Sequence, residues 1–128
     1  MKGELKKYIT KIYKIPDQLL DEFLSHRHIK TGSWKEIITA VDAVERYLYF
    51  TVKGFQKAYY IKDDKDFNIA FTYPFAFNCV PESFLTQKPS NYSFECLTDS
   101  EFLRISYEDF FCLCWRWVRL KTLRNLIS

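Results

Sequence analysis

Histidine and cysteine are scarce in this sequence, and neither is spaced as in a metal or disulfide site. His26 and His28 form an H-x-H pair, but with two histidines in all there is no third to complete a cupin-type metal centre. We interpret the pair as surface residues at a helix-to-strand junction. The four cysteines lie in apolar runs without a zinc-type CxxC pair, at Cys79, Cys96, Cys112 and Cys114. We therefore predict no metal, no cofactor and reduced, mostly buried thiols.

Long apolar runs and concentrated charge are also missing. The first seven residues include Lys2, Glu4, Lys6 and Lys7 instead of the apolar stretch of a signal peptide. No run of about 20 apolar residues is available for a membrane span. The formal charge of +3 does not form the basic stripe of a nucleic-acid-binding surface. No serine or cysteine lies in a recognisable nucleophile elbow. These absences predict a cytoplasmic protein that is not an enzyme, has no catalytic residues and does not contact a membrane.

Hydrophobic residues, in contrast, are abundant. They make up 48% of the sequence, aromatic residues make up 19%, and the chain has 12 phenylalanines and 9 tyrosines. This composition is typical of a folded protein, and 128 residues can bury one sizeable core. We predict a single domain over residues 1–128, with N-terminal helices at 1–26, a β-roll at 27–105 and a C-terminal helix at 106–128.

Two short helices are predicted before the first strand. Residues 2–14 repeat apolar side chains at spacings of three and four between lysines, which indicates an amphipathic helix. A break at residues 15–17 separates it from a second helix. The apolar face of that second helix consists of Leu19, Leu20, Phe23 and Leu24.

From residue 28 the pattern changes to short strands separated by polar turns. We predict strands at 29–32, 36–39, 47–52, 55–61, 67–73, 92–97 and 101–106, with a short helix near Glu82. Lys53-Gly54 and residues 62–65 provide tight turns. Repeated short strands of this kind are typical of an antiparallel β-roll.

A long helix is predicted after the last strand. Ser106 suits its N-cap, and Glu108 and Asp109 suit its first turn, where the helix dipole favours negative charge. Two apolar stripes run along it, so one can pack on the roll while the other meets a partner helix. The predicted dimerisation seam is Phe110, Leu113, Trp117, Leu120, Arg124 and Ile127. The other stripe is Phe111, Cys114, Trp115, Val118 and Thr122.

Three stretches together resemble one known family. They are the hairpin around Leu48-Tyr49-Phe50, Gly54 and Tyr59-Tyr60, the segment from Pro81 to Ser93, and the end of the last strand at Ile105-Ser106-Tyr107. Their order and spacing are similar to those of the effector domain of Crp/Fnr-type bacterial transcription regulators. The resemblance covers about residues 20–110 and implies an α+β fold: a jelly-roll-type β-roll like that of cyclic-nucleotide-binding domains, with two N-terminal helices and a long C-terminal dimerisation helix.

In that family the segment matching Pro81–Ser93 is a phosphate-binding cassette. Counting back from Ile105-Ser106-Tyr107 places Ser90 where the family has its phosphate-binding arginine, and Pro81 where it has its first glycine. Glu82 matches the family glutamate that binds the sugar hydroxyl. Replacing the arginine removes a bidentate donor, and the proline removes a backbone N–H.

The ligand question stays open at this stage. The cassette could bind a cyclic nucleotide with Lys88 in place of the arginine, a different small ligand, or none, and Glu82 could instead cap the short helix. If a ligand exists, the predicted binding residues are Glu82, Ser83, Ser90, Asn91, Ser93, Tyr60 and Tyr92.

The resemblance implies the sensor and dimerisation domain of a transcription regulator. Such a domain forms a homodimer through its last helix, responds to a small-molecule effector, and contacts DNA only through a helix-turn-helix domain that these 128 residues lack. The alternative is a stand-alone β-roll module that binds a small ligand or a protein without binding DNA.

Overall fold

The computed structural model describes residues 17–127, and the side chains of those residues except at positions 117 and 120–127. The first predicted helix, at 2–14, lies outside the described residues. In chain order the described elements are α1 (Asp17–Ser25), β1 (His28–Gly32), β2 (Ile37–Thr39), β3 (Tyr47–Lys53), β4 (Gln56–Lys62), β5 (Lys65–Thr72), β6 (Phe77–Asn78), α2 (Pro81–Thr86), β7 (Ser93–Cys96), β8 (Ser100–Ser106) and α3 (Tyr107–Ile127).

The strands form two four-stranded sheets. One has the order β1-β8-β3-β6 and the other the order β2-β7-β4-β5. Strand β1 pairs antiparallel with β8, β2 with β7, and β4 with both β5 and β7. Most neighbours in each sheet are distant in sequence, as in a Greek-key roll. The predicted antiparallel β-roll is confirmed.

Two tight turns have the local chemistry that the sequence predicted. Asp63 and Asp64 have φ values of 54° and 62° and connect β4 to β5, whose flanking residues Lys62 and Lys65 pair with each other. Positive φ at both central residues defines the type I′ hairpin turn, which aspartate tolerates. Gly54, between β3 and β4, has φ 96°, and a Cβ there would lie 2.6 Å from the carbonyl oxygen of Asp99. Only glycine fits this position without strain.

Aromatic rings fill the space between the sheets. Tyr49 from β3 and Phe102 from β8 meet edge-on at 5.4 Å, and Phe94 from β7 lies 6.2 Å from each ring. Cys96 completes this buried cluster. Burying side chains of this size contributes about 1.5–3 kcal/mol each to the stability of the roll.

A buried polar network, which we call the Gln56 network, also joins the two sheets. The Gln56 side-chain oxygen accepts hydrogen bonds from Thr51 Oγ1 at 3.1 Å and from Thr72 Oγ1 at 2.7 Å. Its Nε2 donates to Ser100 Oγ at 2.9 Å, and Asn78 donates to Thr51 Oγ1 at 2.6 Å. Five strands, β3, β4, β5, β6 and β8, contribute one residue each. Every member has a partner, which a buried network needs in order to stabilise the fold.

The chain divides into two compact units, the roll at His28–Arg104 and a helical unit from the residues on either side of it. In the helical unit, Leu20 and Leu24 of α1 are buried, as the sequence predicted for its apolar face. Arg116 of α3 forms a 2.6 Å ion pair with Glu22 of α1. The amide of Asp109 donates to Ser106 Oγ at 3.2 Å, which is the predicted N-cap of α3. Within the described range, no helix is long and apolar enough to cross a membrane.

Candidate functional site

The segment from α2 to the start of β7 forms the structural equivalent of the predicted cassette. Pro81 occupies the first turn of α2, where its fixed φ is favourable and its missing N–H costs nothing to the helix. Gln87 ends the helix in the left-handed conformation, and its N–H donates to the Ser83 carbonyl at 2.7 Å. The chain then turns through residues 88–92 before entering β7. This path encloses a cavity of about 530 Å³.

The cavity is lined by ten residues of the cassette. They are Val80, Glu82, Ser83, Leu85, Thr86, Lys88, Pro89, Ser90, Asn91 and Tyr92. Five of the seven residues predicted to bind a ligand are therefore on its wall. Glu82 and Asn91 are exposed to solvent, and Tyr92 is half-buried with a pKa raised by burial.

Ser90 does not present its hydroxyl to the cavity as a free donor. Its side chain is 2% exposed, donates to the Tyr92 carbonyl at 2.5 Å and accepts from the Tyr92 amide at 3.2 Å. Its backbone forms two 2.8 Å hydrogen bonds, with the amide of Asp42 and the carbonyl of Ala43. The serine in the arginine position therefore closes a turn and fixes that turn to the neighbouring loop.

Two of the predicted binding residues lie away from this cavity. Ser93 is buried in β7, where its Oγ accepts a hydrogen bond from the Val41 amide at 3.0 Å. The Tyr60 ring stacks on Phe67 across the β4–β5 ladder, with centroids 5.2 Å apart, and does not line the cassette. The aromatic wall of the cassette is therefore Tyr92.

Glu45 is the residue of this region that sequence reasoning missed. It is 1% exposed, and its carboxylate accepts hydrogen bonds from Thr39 Oγ1 at 2.9 Å, the Tyr47 amide at 3.3 Å and the Val80 amide at 3.4 Å. Burial raises the pKa of this carboxyl above its ordinary value, and these hydrogen bonds oppose the shift. Its position in a loop between two strands gave no signal of burial.

The backbone of Glu45 also holds the cassette. Its amide donates to Ser83 Oγ at 2.8 Å, and its carbonyl accepts from Gln87 Nε2 at 2.9 Å. Ser83 in turn donates to the Lys88 carbonyl at 2.5 Å. Hydrogen bonds to Glu45 thus hold the start, middle and end of α2. Both contacts of Ser83 use its hydroxyl, which therefore has a structural role.

The electrostatics of the cassette do not match the requirements of a phosphate. Among the described residues its lining contains one cation, Lys88, which is exposed, and one carboxylate, Glu82. The N-cap residue of α2 is Val80, whose side chain makes no capping hydrogen bond. A phosphate site combines converging donors with a neutralising cation held in place, usually an arginine. The cavity wall supplies hydroxyl, amide and aromatic groups instead.

Metal and thiol chemistry have no clear site in the part of the chain that the structure describes. No three histidine, cysteine, aspartate or glutamate side chains cluster there as metal ligands. His26 Nδ1 lies 3.9 Å from an Asp109 carboxylate oxygen. His28 is the first residue of β1. The four cysteines are unpaired, and burial raises the pKa of Cys79 to about 11.

The described part of α3 includes two side chains of the predicted seam. Leu113 is 3% exposed within this chain, and Phe110 is half-buried. The exposed stripe of α3 contains Phe111 at 56%, Trp115 at 57% and Val118 at 53% exposure. We call it the Trp115 stripe. The remaining predicted seam residues, Trp117, Leu120, Arg124 and Ile127, have side chains outside the described residues.

Comparison with solved structures identifies the fold. The chain is similar to the Thermus thermophilus catabolite activator protein, with a TM-score of 0.73, 17% identity, and coverage of 89% of this chain and 56% of that one. It is also similar to the regulatory domain of Toxoplasma gondii PKA, crystallised with cAMP, with a TM-score of 0.78, 10% identity, and coverage of 88% and 44%. A third relative in structure is the sensor domain of the transcriptional regulator DNR from Pseudomonas aeruginosa, with a TM-score of 0.69, 12% identity, and coverage of 93% and 79%.

At these identities the likeness establishes the fold, which is that of cyclic-nucleotide-binding domains, as the resemblance to Crp/Fnr-type regulators predicted. The chain spans about half the length of the first two proteins. No protein-family model matches the sequence. No curated protein matches it either.

Proposed function

We propose that this chain is the sensor and dimerisation domain of a Crp/Fnr-like transcription regulator, working in the cytoplasm without catalytic activity. The fold and its occurrence in the catabolite activator protein and in a regulator's sensor domain support this proposal. The unpaired cysteines are typical of a reducing compartment. Residues 1–128 would act as one effector domain, and a separate helix-turn-helix domain would contact DNA.

The sensor does not bind a cyclic nucleotide in the usual way, and Ser90 is the observation that carries this part of the proposal. Its hydroxyl is buried and fully used within the Ser90–Tyr92 turn. Lys88 is exposed, and holding a long side chain in place over a phosphate costs conformational entropy. The effector in the cassette is instead a small molecule that Glu82, Asn91 and Tyr92 can contact.

Thermal unfolding with cyclic AMP and cyclic GMP tests the loss of nucleotide binding. A ligand at a hundred times its dissociation constant stabilises a protein by about 2.7 kcal/mol. We expect no rise in melting temperature with either nucleotide at about 1 mM, the upper end of the usual range of substrate KM values. A clear rise in melting temperature with either nucleotide would contradict this reading of Ser90.

A screen of small molecules by the same assay would identify the effector. Stabilisation by a compound bound in the cassette should weaken in Glu82→Gln and Asn91→Ala. Glu101→Gln, at an exposed position of β8, serves as the matched control and should leave the response unchanged. Equal responses in all three variants would place the compound elsewhere.

The Trp115 stripe is the surface through which we propose that the domain dimerises. Exposed tryptophan and phenylalanine on one helix face are unfavourable in water and common at the centres of interfaces. An effector would act by favouring one packing of the two α3 helices over another, which would change the spacing of the DNA-contacting domains.

Sedimentation at tens of micromolar tests the dimer. We expect the wild-type chain to sediment as a dimer and Trp115→Asp as a monomer, because a carboxylate buried between two Trp115 stripes would lack a partner. Trp34→Asp provides a control, since it makes the same change at a tryptophan of the roll that is 63% exposed. A monomeric wild type, or a dimer that Trp115→Asp leaves intact, would exclude this surface.

One observation favours the alternative of a stand-alone protein-binding module. Strand β5 ends its sheet, and Phe67, Ile69 and Phe71 are between 41% and 59% exposed. Fusion of residues 1–128 to a monomeric repressor DNA-binding domain distinguishes the two functions. If the fusion protein represses a palindromic operator and loses that repression when Trp115 is replaced, the result supports the transcription regulator. If a stable fusion protein does not repress, the result supports the stand-alone protein-binding module.

A further inference from the structure

The hydroxyl groups on the wall of the cassette cavity already have partners within the protein. Ser83 Oγ donates to the Lys88 carbonyl, and the Ser90 hydroxyl is used within its own turn. Thr86 Oγ1 donates to the Glu82 carbonyl at 2.6 Å and accepts from the Lys88 amide at 3.3 Å. These hydroxyls hold the cassette together, so a ligand in the cavity must be recognised by other groups.

Four polar side chains of the wall remain for a ligand, those of Glu82, Lys88, Asn91 and Tyr92. Among the described residues, no hydrogen bond or ion pair engages the Glu82 carboxylate. Glu82 lies in the first turn of α2 but does not cap that helix, whose N-cap residue is Val80. An exposed carboxylate on a cavity wall therefore retains its full capacity to accept hydrogen bonds from a ligand.

The carboxylate of Glu45 lies directly behind this wall. It accepts a hydrogen bond from the amide of Val80, and the Glu45 amide donates to Ser83 Oγ; Val80 and Ser83 both line the cavity. Its other partners in the described residues are hydroxyl and amide groups, and no cation lies within ion-pair distance of it there. The negative charge of Glu45 therefore acts on the cavity across a short distance of low dielectric.

Acidic groups outnumber basic groups around the cavity. The segment at 42–46 packs against the turn at 88–92, with which it exchanges two 2.8 Å backbone hydrogen bonds. Together the cavity wall and this segment carry three acids and two bases, which are Asp42, Glu45, Glu82, Arg46 and Lys88. Arg46 lines a different cavity of the roll, and Lys88 is exposed on a long side chain that is costly to order. A cleft with an excess of negative charge concentrates cations.

Tyr92 provides the aromatic surface beside these carboxylates. Burial raises the pKa of its hydroxyl, and the negative charges of Cys79, Glu82 and Glu45 raise it further. The hydroxyl is therefore neutral at ordinary pH, and the potential around the ring is negative. A cation is attracted both to the face of an aromatic ring and to a neighbouring carboxylate.

The acceptors on the wall specify the kind of cation. Glu82 provides two carboxylate oxygens and Asn91 a side-chain carbonyl, which together can accept several N–H groups. Leu85 and Pro89 provide apolar surface, and the volume of about 530 Å³ lies within the usual range of small-molecule sites, about 300–1,000 Å³. We propose that the cassette binds a primary organic ammonium ion with an apolar body, held by Glu82 and Tyr92, an inference that rests on the effector role proposed for the same cavity.

Phenethylamine is a suitable probe for this site. Phenethyl alcohol is its neutral isostere, and hydrocinnamate carries a carboxylate on the same ring and chain. With the full chain at constant ionic strength, we expect millimolar phenethylamine to raise the melting temperature, and the alcohol and the carboxylate to have no effect. Equal stabilisation by phenethylamine and phenethyl alcohol, or no stabilisation by phenethylamine, would overturn the proposal.

Variants that remove single charges locate the bound ammonium. Glu82→Gln should weaken phenethylamine binding about tenfold or more, because a charge-assisted hydrogen bond is lost. Glu101→Gln removes the same charge from an exposed position of β8 and should leave binding unchanged. Lys88→Gln removes the base of the cavity wall and should leave binding unchanged or tighter. Equal losses in Glu82→Gln and Glu101→Gln would show an effect of net charge alone and refute the site.

The outcomes separate this inference from the effector role on which it rests. Stabilisation by hydrocinnamate that is lost in Lys88→Gln would refute the ammonium ligand and leave the cassette as an effector site. Stabilisation by a cyclic nucleotide would instead contradict the function proposed for the cassette.

A measurement on the unaltered protein needs no variant. In ¹H–¹⁵N spectra, the side-chain amide of Asn91 and the backbone amide of Tyr92 should shift as phenethylamine is added, because both residues line the cavity. Sodium chloride over the same range of concentration should not move these signals. If phenethylamine leaves both signals in place, the site is wrong, whatever the result of the sedimentation experiments.

Discussion

Glu45 shows how much of the cassette depends on a single side chain and its own backbone. Three hydrogen-bond donors converge on its carboxylate, while its amide and carbonyl hold Ser83 and Gln87. A buried acid is costly unless it is satisfied in this way. Its role is therefore to fix the cassette to the roll, and replacing it should affect stability more than any exposed acid of the chain.

Replacing Glu45 by alanine should lower the free energy of unfolding by about 2 kcal/mol or more, because the Val80 and Tyr47 amides and the Thr39 hydroxyl lose their acceptor. Urea unfolding at pH 7 measures this loss. Glu101→Ala, at an exposed position of β8, should stay within about 0.5 kcal/mol of wild type. Equal small losses in both variants would mean that the Glu45 contacts contribute little.

The raised pKa of Glu45 also predicts a pH dependence. The folded state holds the proton more tightly than the unfolded chain, so stability must fall as pH rises. The contribution is complete below the ordinary pKa of 4.5 and is lost between that value and the raised pKa of the folded state. In Glu45→Gln this decline should disappear. A decline of the same size in Glu45→Gln would assign it to other groups.

At the scale of whole elements, the Gln56 network holds the two sheets in register. Its five members come from five strands, and hydrogen bonds among them join the two sheets. Polar groups there specify one pairing of the sheets, because any shift would leave buried donors and acceptors unpaired.

Gln56→Leu should therefore destabilise the fold by about 2 kcal/mol, since Thr51, Thr72 and Ser100 would lose a partner although the volume is nearly conserved. Thermal unfolding, with the change evaluated at the melting temperature, gives this value. The same substitution at the exposed Gln18 of α1 controls for the change in hydrophobicity and should be close to neutral. Comparable losses at the two positions would contradict a special role for the network.

The strands and turns could be predicted because their signals are local. Alternating apolar residues predicted most of the strands. Glycine and paired aspartates predicted the turns at Gly54 and Asp63-Asp64. The burial of Glu45 could not be predicted, because its partners Val80 and Ser83 lie 35 and 38 residues away. The exposed face of α3 could not be predicted either, because both of its stripes are apolar. Only packing decides that Leu113 is buried and Trp115 is exposed.

At the scale of the whole molecule, the four thiols differ in how far each is exposed to solvent. Cys112 is exposed, Cys79 and Cys114 are partly buried, and Cys96 is fully buried. Burial raises the pKa of the last three, which lowers their thiolate content further.

Reaction with a thiol reagent at pH 8 should therefore show one fast cysteine in the native protein and four after denaturation. Cys112→Ser should remove the fast phase and leave the slow phases unchanged. The contrast follows from the exposure of Cys112 and from the burial of the other three thiols, which also raises their pKa. Rapid reaction of Cys96 in the native state would show that the roll opens readily.

Strand β5 has a further consequence for the behaviour of concentrated solutions. It is the last strand of its sheet, so one side of its backbone lacks a neighbouring strand within the described residues. Such an edge is a template for adding strands of other molecules, and the apolar side chains along β5 would strengthen that association. The shift of register between Ala58 and Tyr59 interrupts the flat surface, and Lys65 and Asp66 place charge at its start. The register shift and these charges oppose aggregation through β5. The solubility of the protein should therefore depend on them more than on the stability of the fold.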